Sequence, residues 1–174
     1  MPYPDAYIAY LVEFHATRDY FECHELLEEY WKEHPGDGKG AIWVGLIQTA
    51  VGQYHERRGN LRGAAMMYRQ ALDRLNVSEL EPLGLDRTSL VEQLRDRLEV
   101  TLSGRPDYQD INLKLIHESL KEQCMKLCEE RGLSWGISSP MHDESVIHRH
   151  LKRDRSEVIA AREAALLAKR QGKK

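Results

Sequence analysis

The sequence predicts an all-α protein, a compact multi-helix bundle with a helical hairpin at its core and a long C-terminal helix. Three observations favour this fold class. Apolar residues recur at helical spacing in nearly every segment, we find no run with the alternation of a half-buried strand, and glycine or proline separates the periodic segments. A chain of 174 residues with 41% apolar and 30% charged residues is long enough to bury a core without a disulfide or metal.

The predicted helices span about 5–15, 19–34, 40–57, 60–76, 86–102, 112–131 and 143–169. Asp19 and Asn60 can cap the first turn of their helices, and Glu22 stands three positions after Asp19, as in a capping box. The gaps between helices hold residues that break a helix: Pro35, Gly59, Gly104 and Gly132.

The composition excludes several classes of protein. The longest apolar run ends at Gln48 and is far shorter than the roughly 20 residues of a membrane span. We expect no secretory signal, because the N-terminus carries Asp5 and Glu13 and has no basic stretch before its apolar residues, and three cysteines cannot close a complete disulfide framework. We therefore expect a cytoplasmic protein with no membrane partner.

Charge is spread unevenly along the chain, whose net charge is −3. Residues 151–174 carry eight Lys and Arg against three acidic residues, but this mixture is a weak footprint for nucleic acid, which we do not expect as a partner. The last predicted helix has apolar residues that could pack on the body or on a second subunit, so a homodimer stays open: Ile147, Leu151, Val158, Ala165 and Leu166.

His24 and Glu28 mark the strongest candidate site. At 100° per residue, both fall in the middle of the apolar stripe of helix 2, which contains Tyr20, Leu27 and Trp31. An unpaired carboxylate on such a stripe is costly, so Glu28 must be paired, protonated or bound to something. His24 lies one helical turn away and is the nearest partner.

Helix 3 offers two further polar side chains, Gln48 and His55, on a face rich in glycine and alanine. If helices 2 and 3 form an antiparallel hairpin, Gln48 can reach the His24–Glu28 pair. His55 then lies about 7 Å further along, which is marginal for sharing a metal ion with both.

Two motifs resemble the signature of a known family. The first, DYFECHELLEEYWK, covers residues 19–32; the second, GLIQTAVGQYH, covers residues 45–55 and is followed by RGNLRGA at 58–64. In this order they resemble domain-of-unknown-function family 309, a bacterial and archaeal family. The resemblance implies a small all-helical bundle, commonly labelled a predicted metal-dependent hydrolase without an established substrate. It covers about residues 1–102, so we expect 103–174 to be a helical C-terminal extension of the same domain.

A hydrolytic site needs ligands around a metal ion that keeps a position open for water. His24, Glu28 and His55 would ligate one divalent, zinc-like transition metal, with Glu25 as the base that takes a proton from bound water. The order His24-Glu25-x-x-Glu28 nevertheless differs from the His-Glu-x-x-His zinc motif. Supporting or substrate contacts would come from the polar and aromatic residues nearby: Gln48, Arg58, Tyr20 and Trp31.

Two alternatives stay open for the same residues. A buried His24–Glu28 hydrogen bond could fix the helix register without an ion, or the residues could line a metal-free pocket for an unknown small molecule. A cationic patch of Arg57, Arg58 and Arg62 could attract an acidic ligand near His55.

A second resemblance points to an interaction or structural protein with a protein partner. Small and aromatic residues after Gly52 fall at the spacing of a tetratricopeptide repeat: Gly59, Asn60, Ala64, Tyr68 and Ala71. Such repeats need about three stacked copies for stability, and the sequence has only one. The hairpin of helices 3 and 4 is therefore expected to pack like a single repeat.

A cysteine pair on helix 6 is a weaker candidate. Cys124 and Cys128 share a face with His117, which could suggest zinc, but their spacing is not a standard one for structural zinc. Leu120 and Leu127 lie on the same face, so burial in the core is the better interpretation.

Overall fold

The protein is described here by a computed structural model that covers residues 3–148. Its helices confirm the all-α prediction: α1 (Asp5–Val12), α2 (Tyr20–Glu33), α3 (Gly40–Arg57), α4 (Leu61–Leu75), α5 (Arg87–Leu102), α6 (Glu118–Glu130) and α7 (Glu144–Ile147). A π-helical turn, Glu13–Thr17, continues α1, and a 3-10 turn, Glu81–Leu83, precedes α5.

Side-chain caps explain where three of the helices begin. The carboxylates of Asp19 and Asp86 and the amide oxygen of Asn60 each accept a hydrogen bond from the backbone N–H three residues further on. Each bond satisfies an N–H group that has no partner inside its helix. The starts of α2, α4 and α5 agree with the sequence prediction.

Helix α3 lies at the centre of the bundle, packed between α2 and α4, while α5 packs on α4 and α1 contacts both α2 and α6. The side chains of α3 are buried on nearly every side of the helix, as its sequence predicts. The core is rich in fully buried aromatic side chains: Tyr7, Tyr10, Phe14, Tyr20, Trp43 and Tyr68.

The hairpin of α3 and α4 is held together by close contacts at two glycines. A Cβ on Gly52 would lie 2.6 Å from the ring of Tyr68, and a Cβ on Gly45 would lie 2.6 Å from Leu75. Glycine lets the two backbones approach where any larger residue would hold them apart. The contact of Gly52 with Tyr68 places a small residue of α3 against an aromatic residue of α4.

The sixth predicted helix begins later than expected. Residues 112–117 are not helical; Ile111, Leu113 and Leu115 are buried and alternate with exposed residues, the pattern of an extended segment. Leu115 forms an isolated antiparallel bridge with Leu85, and residues 3–148 contain no strand beyond this single pairing. The expectation that no run of the sequence alternates was therefore wrong at this point.

The last predicted helix is only partly covered. The last helix begins near Asp143 as expected, and Asp143 caps it, but α7 ends at Ile147 after one turn and His148 is not helical. Residues 149–174, which include the rest of that predicted helix and the basic segment, lie outside the described residues. Across residues 3–148, no helix combines the length and the apolar character that crossing a bilayer requires.

Candidate functional site

The predicted pair of His24 and Glu28 is present on α2. Nε2 of His24 lies 2.5 Å from Oε2 of Glu28, and Nζ of Lys32 lies 2.9 Å from the other carboxylate oxygen. The bond from Lys32, opposed by partial burial and assisted by His24, lowers the pKa of Glu28 below its ordinary value. Glu28 is therefore a carboxylate with two cationic or hydrogen-bonding partners one turn away on either side.

This pair lies at the edge of the core and not within it. The side chains of His24 and Glu28 are 28% and 33% exposed. The ring of Phe21 packs edge-on against His24 at 5.6 Å and lies 5.8 Å from Tyr54 of α3, measured between ring centroids. Partial exposure removes the expected cost of an unpaired carboxylate on the apolar stripe.

Gln48 lies against a different helix from the one expected. Its amide Nε2 donates to Oε1 of Gln70 at 2.8 Å, and its Oε1 accepts from Arg74 at 3.4 Å, so both polar atoms bind α4. These hydrogen bonds of Gln48 therefore go to α4 and not to His24 or Glu28.

The remaining site candidates are spread over α2 and the end of α3. Nδ1 of His55 lies 3.3 Å from the amide nitrogen of Asn60 at the start of α4. The guanidinium of Arg58 stacks 5.7 Å from the ring centroid of Tyr54, and Glu25 is half-buried beside His24. Trp31 is exposed and lies over the first turn of α3.

The described residues do not fit the expected metal site. Between residues 3 and 148, no three side chains of His, Cys, Asp or Glu come close enough together to hold an ion. His24 and Glu28 supply two donors, and Lys32 occupies the second oxygen of Glu28. A catalytic ion needs three protein ligands and an open position, which these two donors do not provide.

Tyr20 belongs to a partly buried polar network around Asp110, which no pattern in the sequence predicted. Its hydroxyl donates to Oδ1 of Asp110 at 2.8 Å, and the hydroxyl of Tyr108 donates to the same oxygen at 2.5 Å. The backbone N–H of Ser139 donates to Oδ2 at 2.9 Å, and its hydroxyl also bonds to Asp110. Burial alone would raise the pKa of Asp110, but these hydrogen bonds outweigh it and lower the pKa below its ordinary value.

Arg57 and Arg18 belong to the same interior. Arg57 is buried, donates through Nη1 to the backbone oxygen of Arg18 at 2.7 Å, and stacks 4.6 Å from the ring of Tyr20. Arg18 in turn donates to the backbone oxygens of Ile111 and Ile137. Arg57 is thus a structural cation, which corrects its assignment to a surface patch for an acidic ligand.

The cysteine pair lies in the core, as the better interpretation of the sequence predicted. Cys124 and Cys128 are both buried, and burial raises the pKa of the Cys124 thiol to about 12. Nδ1 of His117 lies 2.7 Å from the hydroxyl of Tyr3. A protonated, buried thiol is a poor nucleophile and a poor ligand.

A groove with a volume of about 790 Å³ runs along α4 and the end of α5. Two large apolar side chains in its lining are more than half exposed, Met66 at 54% and Leu102 at 60%. Arg62, Arg69 and Asp73 line it as well. Together with Met66, these three residues are spaced four, three and four positions apart, which places all four on one face of α4. This spacing could have been recognised in the sequence.

The described residues form a small all-α protein built around the packed helices α3 and α4. The family model described as "Domain of unknown function (DUF309)" matches residues 7–67. The uncharacterized protein YpuF of Bacillus subtilis (strain 168) is 45% identical over 165 residues, which cover 92% of this chain and 93% of that protein. The chain belongs to the DUF309 family, as its two motifs predicted. No solved structure matches it.

Proposed function

We propose that this protein is a non-catalytic interaction protein that binds a helical segment in the groove between α4 and α5. The observation that carries this proposal is that Met66 and Leu102, both more than half exposed, line the same groove. Large apolar side chains clustered in a concave surface are typical of interaction sites, and methionine adapts well to the shape of a bound helix.

The inner face of α4 supports the proposal because it gives the groove a rigid wall. Ala64, Tyr68, Ala71 and Leu75 are fully buried against the bundle. The hydroxyl of Tyr68 donates to Oε1 of Glu56 at 2.8 Å, which fixes α4 on α3. A rigid wall lowers the entropy cost of binding, since little of the surface has to be ordered when a partner arrives.

The metal-dependent hydrolase implied by the family label has weaker support. It requires His24, Glu28 and His55 to share an ion and Glu25 to act as base. Nε2 of His24 lies 2.5 Å from Oε2 of Glu28, whereas Nδ1 of His55 lies beside the side-chain amide of Asn60. Hydrolysis and the zinc-like ion therefore remain predictions, which elemental analysis can test.

The proposed function can be tested by selecting helical peptides from a displayed library on the purified full chain. Binding of the selected peptides is then compared for the parent, Met66→Glu and Leu102→Glu. Met125→Glu is the matched control, because Met125 is 43% exposed but lies on α6. We expect both groove variants to weaken binding at least about tenfold and the control to leave it unchanged. Equal binding to all four proteins, or failure to select any peptide, would contradict the proposal.

A further inference from the structure

The exposed face of α4 has the spacing of a helix-pairing seam. Arg62, Met66, Arg69 and Asp73 follow one another at intervals of four, three and four residues, and all four are exposed. This is the spacing of alternate seam positions in a two-helix coiled coil. The four residues extend over three turns, or about 16 Å of helix.

The charges on this face of α4 are complementary to those on the same face of a second α4 helix that runs in the opposite direction. When Met66 is placed opposite Arg69 of an antiparallel second helix, Arg62 falls opposite Asp73, and Asp73 falls opposite Arg62. The methylene groups of Arg69 can cover Met66 while the guanidinium stays in water. A parallel arrangement would instead set Arg62 against Arg62 and Asp73 against Asp73, which is repulsive at both ends.

Exposed apolar side chains around the seam favour the same arrangement. Arg87 at the start of α5 donates to the backbone oxygen of Ser78, just beyond the end of α4, so the two helices run antiparallel and Leu102, at the end of α5, lines the groove near its Arg62 end. Val77, another large exposed apolar residue, follows two positions after the last residue of α4. An antiparallel partner brings its own Val77 to the end where Leu102 lies, so that pairing covers apolar surface from both copies.

From these observations, and resting on the proposed function, we infer that the helix accepted by the groove is α4 of a second copy of this chain. The two α4 helices pair antiparallel about a two-fold axis between Met66 and Arg69. Each Arg62–Asp73 contact then occurs twice, as an isologous interface requires.

The test is the association of the full chain, measured by sedimentation equilibrium, for the parent, Arg62→Glu, Asp73→Arg and the double variant. Both single substitutions agree with the helix dipole, since Glu is favourable in the first turn and Arg in the last, so the variants are expected to fold. Each creates two like-charge contacts per dimer, and we expect the dimer to weaken at least about tenfold. Arg95→Glu is the control, because Arg95 is exposed on α5 outside the seam.

The double variant restores opposite charges, so its dimer should return to within about threefold of the parent. A parent that stays monomeric up to about millimolar concentration would overturn the inference. So would a dimer that neither single variant weakens, or a double variant that fails to recover. If circular dichroism shows that a charge variant is unfolded, Met66→Lys, which sets a like charge opposite Arg69 of the second helix, must weaken the dimer instead, and an unchanged dimer overturns the inference. A monomeric parent that still binds the selected peptides would leave the proposed function standing.

Discussion

Gly52 of α3 and Tyr68 of α4 are in such close contact that a Cβ on residue 52 would lie 2.6 Å from the Tyr68 ring. The ring cannot easily move aside, because its hydroxyl donates to Glu56 and accepts from Nε2 of Gln53, each at 2.8 Å. The hairpin that supports the groove is therefore held in one packing arrangement.

Gly52→Ala is expected to destabilise the protein by about 1–3 kcal/mol, because the added methyl group overpacks the hairpin against a ring that is held at both its face and its hydroxyl. Urea denaturation measures the change. Gly36→Ala is the control, since a Cβ there meets no atom within 4 Å, and its effect should stay within about 0.5 kcal/mol. Equal stability of both variants would show that Tyr68 can shift.

A buried ion pair next to this contact gives a second prediction. Nη1 of Arg97 lies 2.8 Å from Oε2 of Glu56, and both side chains are almost excluded from water. Arg97→Met leaves Glu56 buried without its cation and should cost about 3–5 kcal/mol. Arg95→Met removes an exposed arginine of the same helix and should have little effect.

The double variant Glu56→Gln/Arg97→Met separates the ion pair from simple loss of packing. Because the uncompensated charge is gone, it should lose less stability than the sum of the two single variants. Strict additivity, measured in the same denaturation series, would contradict a direct interaction between these two side chains.

Stability should also depend on pH through His15. Its Nδ1–H donates to the oxygen of Leu11 at 2.8 Å and its Nε2 accepts from the N–H of Leu113 at 2.9 Å, an arrangement that needs a neutral ring. Burial, which outweighs the opposing bond to Leu11 and is assisted by Arg18, lowers the pKa of His15 to about 3.

The unfolded chain, whose His15 has a pKa near 6.5, takes up the proton first as the pH falls. The contribution of His15 is therefore complete above pH 6.5, and each pH unit from there towards 3 removes about 1.4 kcal/mol of stability. His15→Gln, compared with the parent by urea denaturation at several pH values, should have a shallower slope. Parallel curves for the two proteins would refute a buried neutral His15.

The sequence predicted where α2, α4 and α5 begin, because Asp19, Asn60 and Asp86 cap these helices through local chemistry. It did not predict the extended segment 111–115, although Ile111, Leu113 and Leu115 alternate there; helical patterning on the following residues masked a run of only five.

The candidate site was predictable only in part, for a related reason. Spacing alone joins His24 to Glu28, since residues four apart on a helix always meet. The exposure of His24 and Glu28 and the direction of the Gln48 side chain depend instead on how α2 and α4 pack around α3. Local residue spacing does not determine this packing. The network of Asp110 with Tyr20 joins residues ninety positions apart, and no local pattern indicates such a pairing.

The half-exposed position of Glu28 gives a further prediction. Glu28→Gln should change stability by less than about 1 kcal/mol, as for other exposed pairs four residues apart on a helix.

We also expect no near-stoichiometric transition metal in tag-free protein after metal supplementation, measured by elemental analysis. A near-stoichiometric metal that both His24→Ala and Glu28→Ala remove, with both variants folded, would establish the metal site and return hydrolysis to first place.

The most direct test of the groove as the binding surface is an amide chemical-shift map of the full chain on addition of a selected helical peptide. We predict that the largest shifts fall on residues 61–73 of α4 and on 101–102 at the end of α5. Largest shifts around His24 and Glu28 of α2, with α4 unchanged, would contradict the proposal and place binding at the face that the sequence motif first indicated.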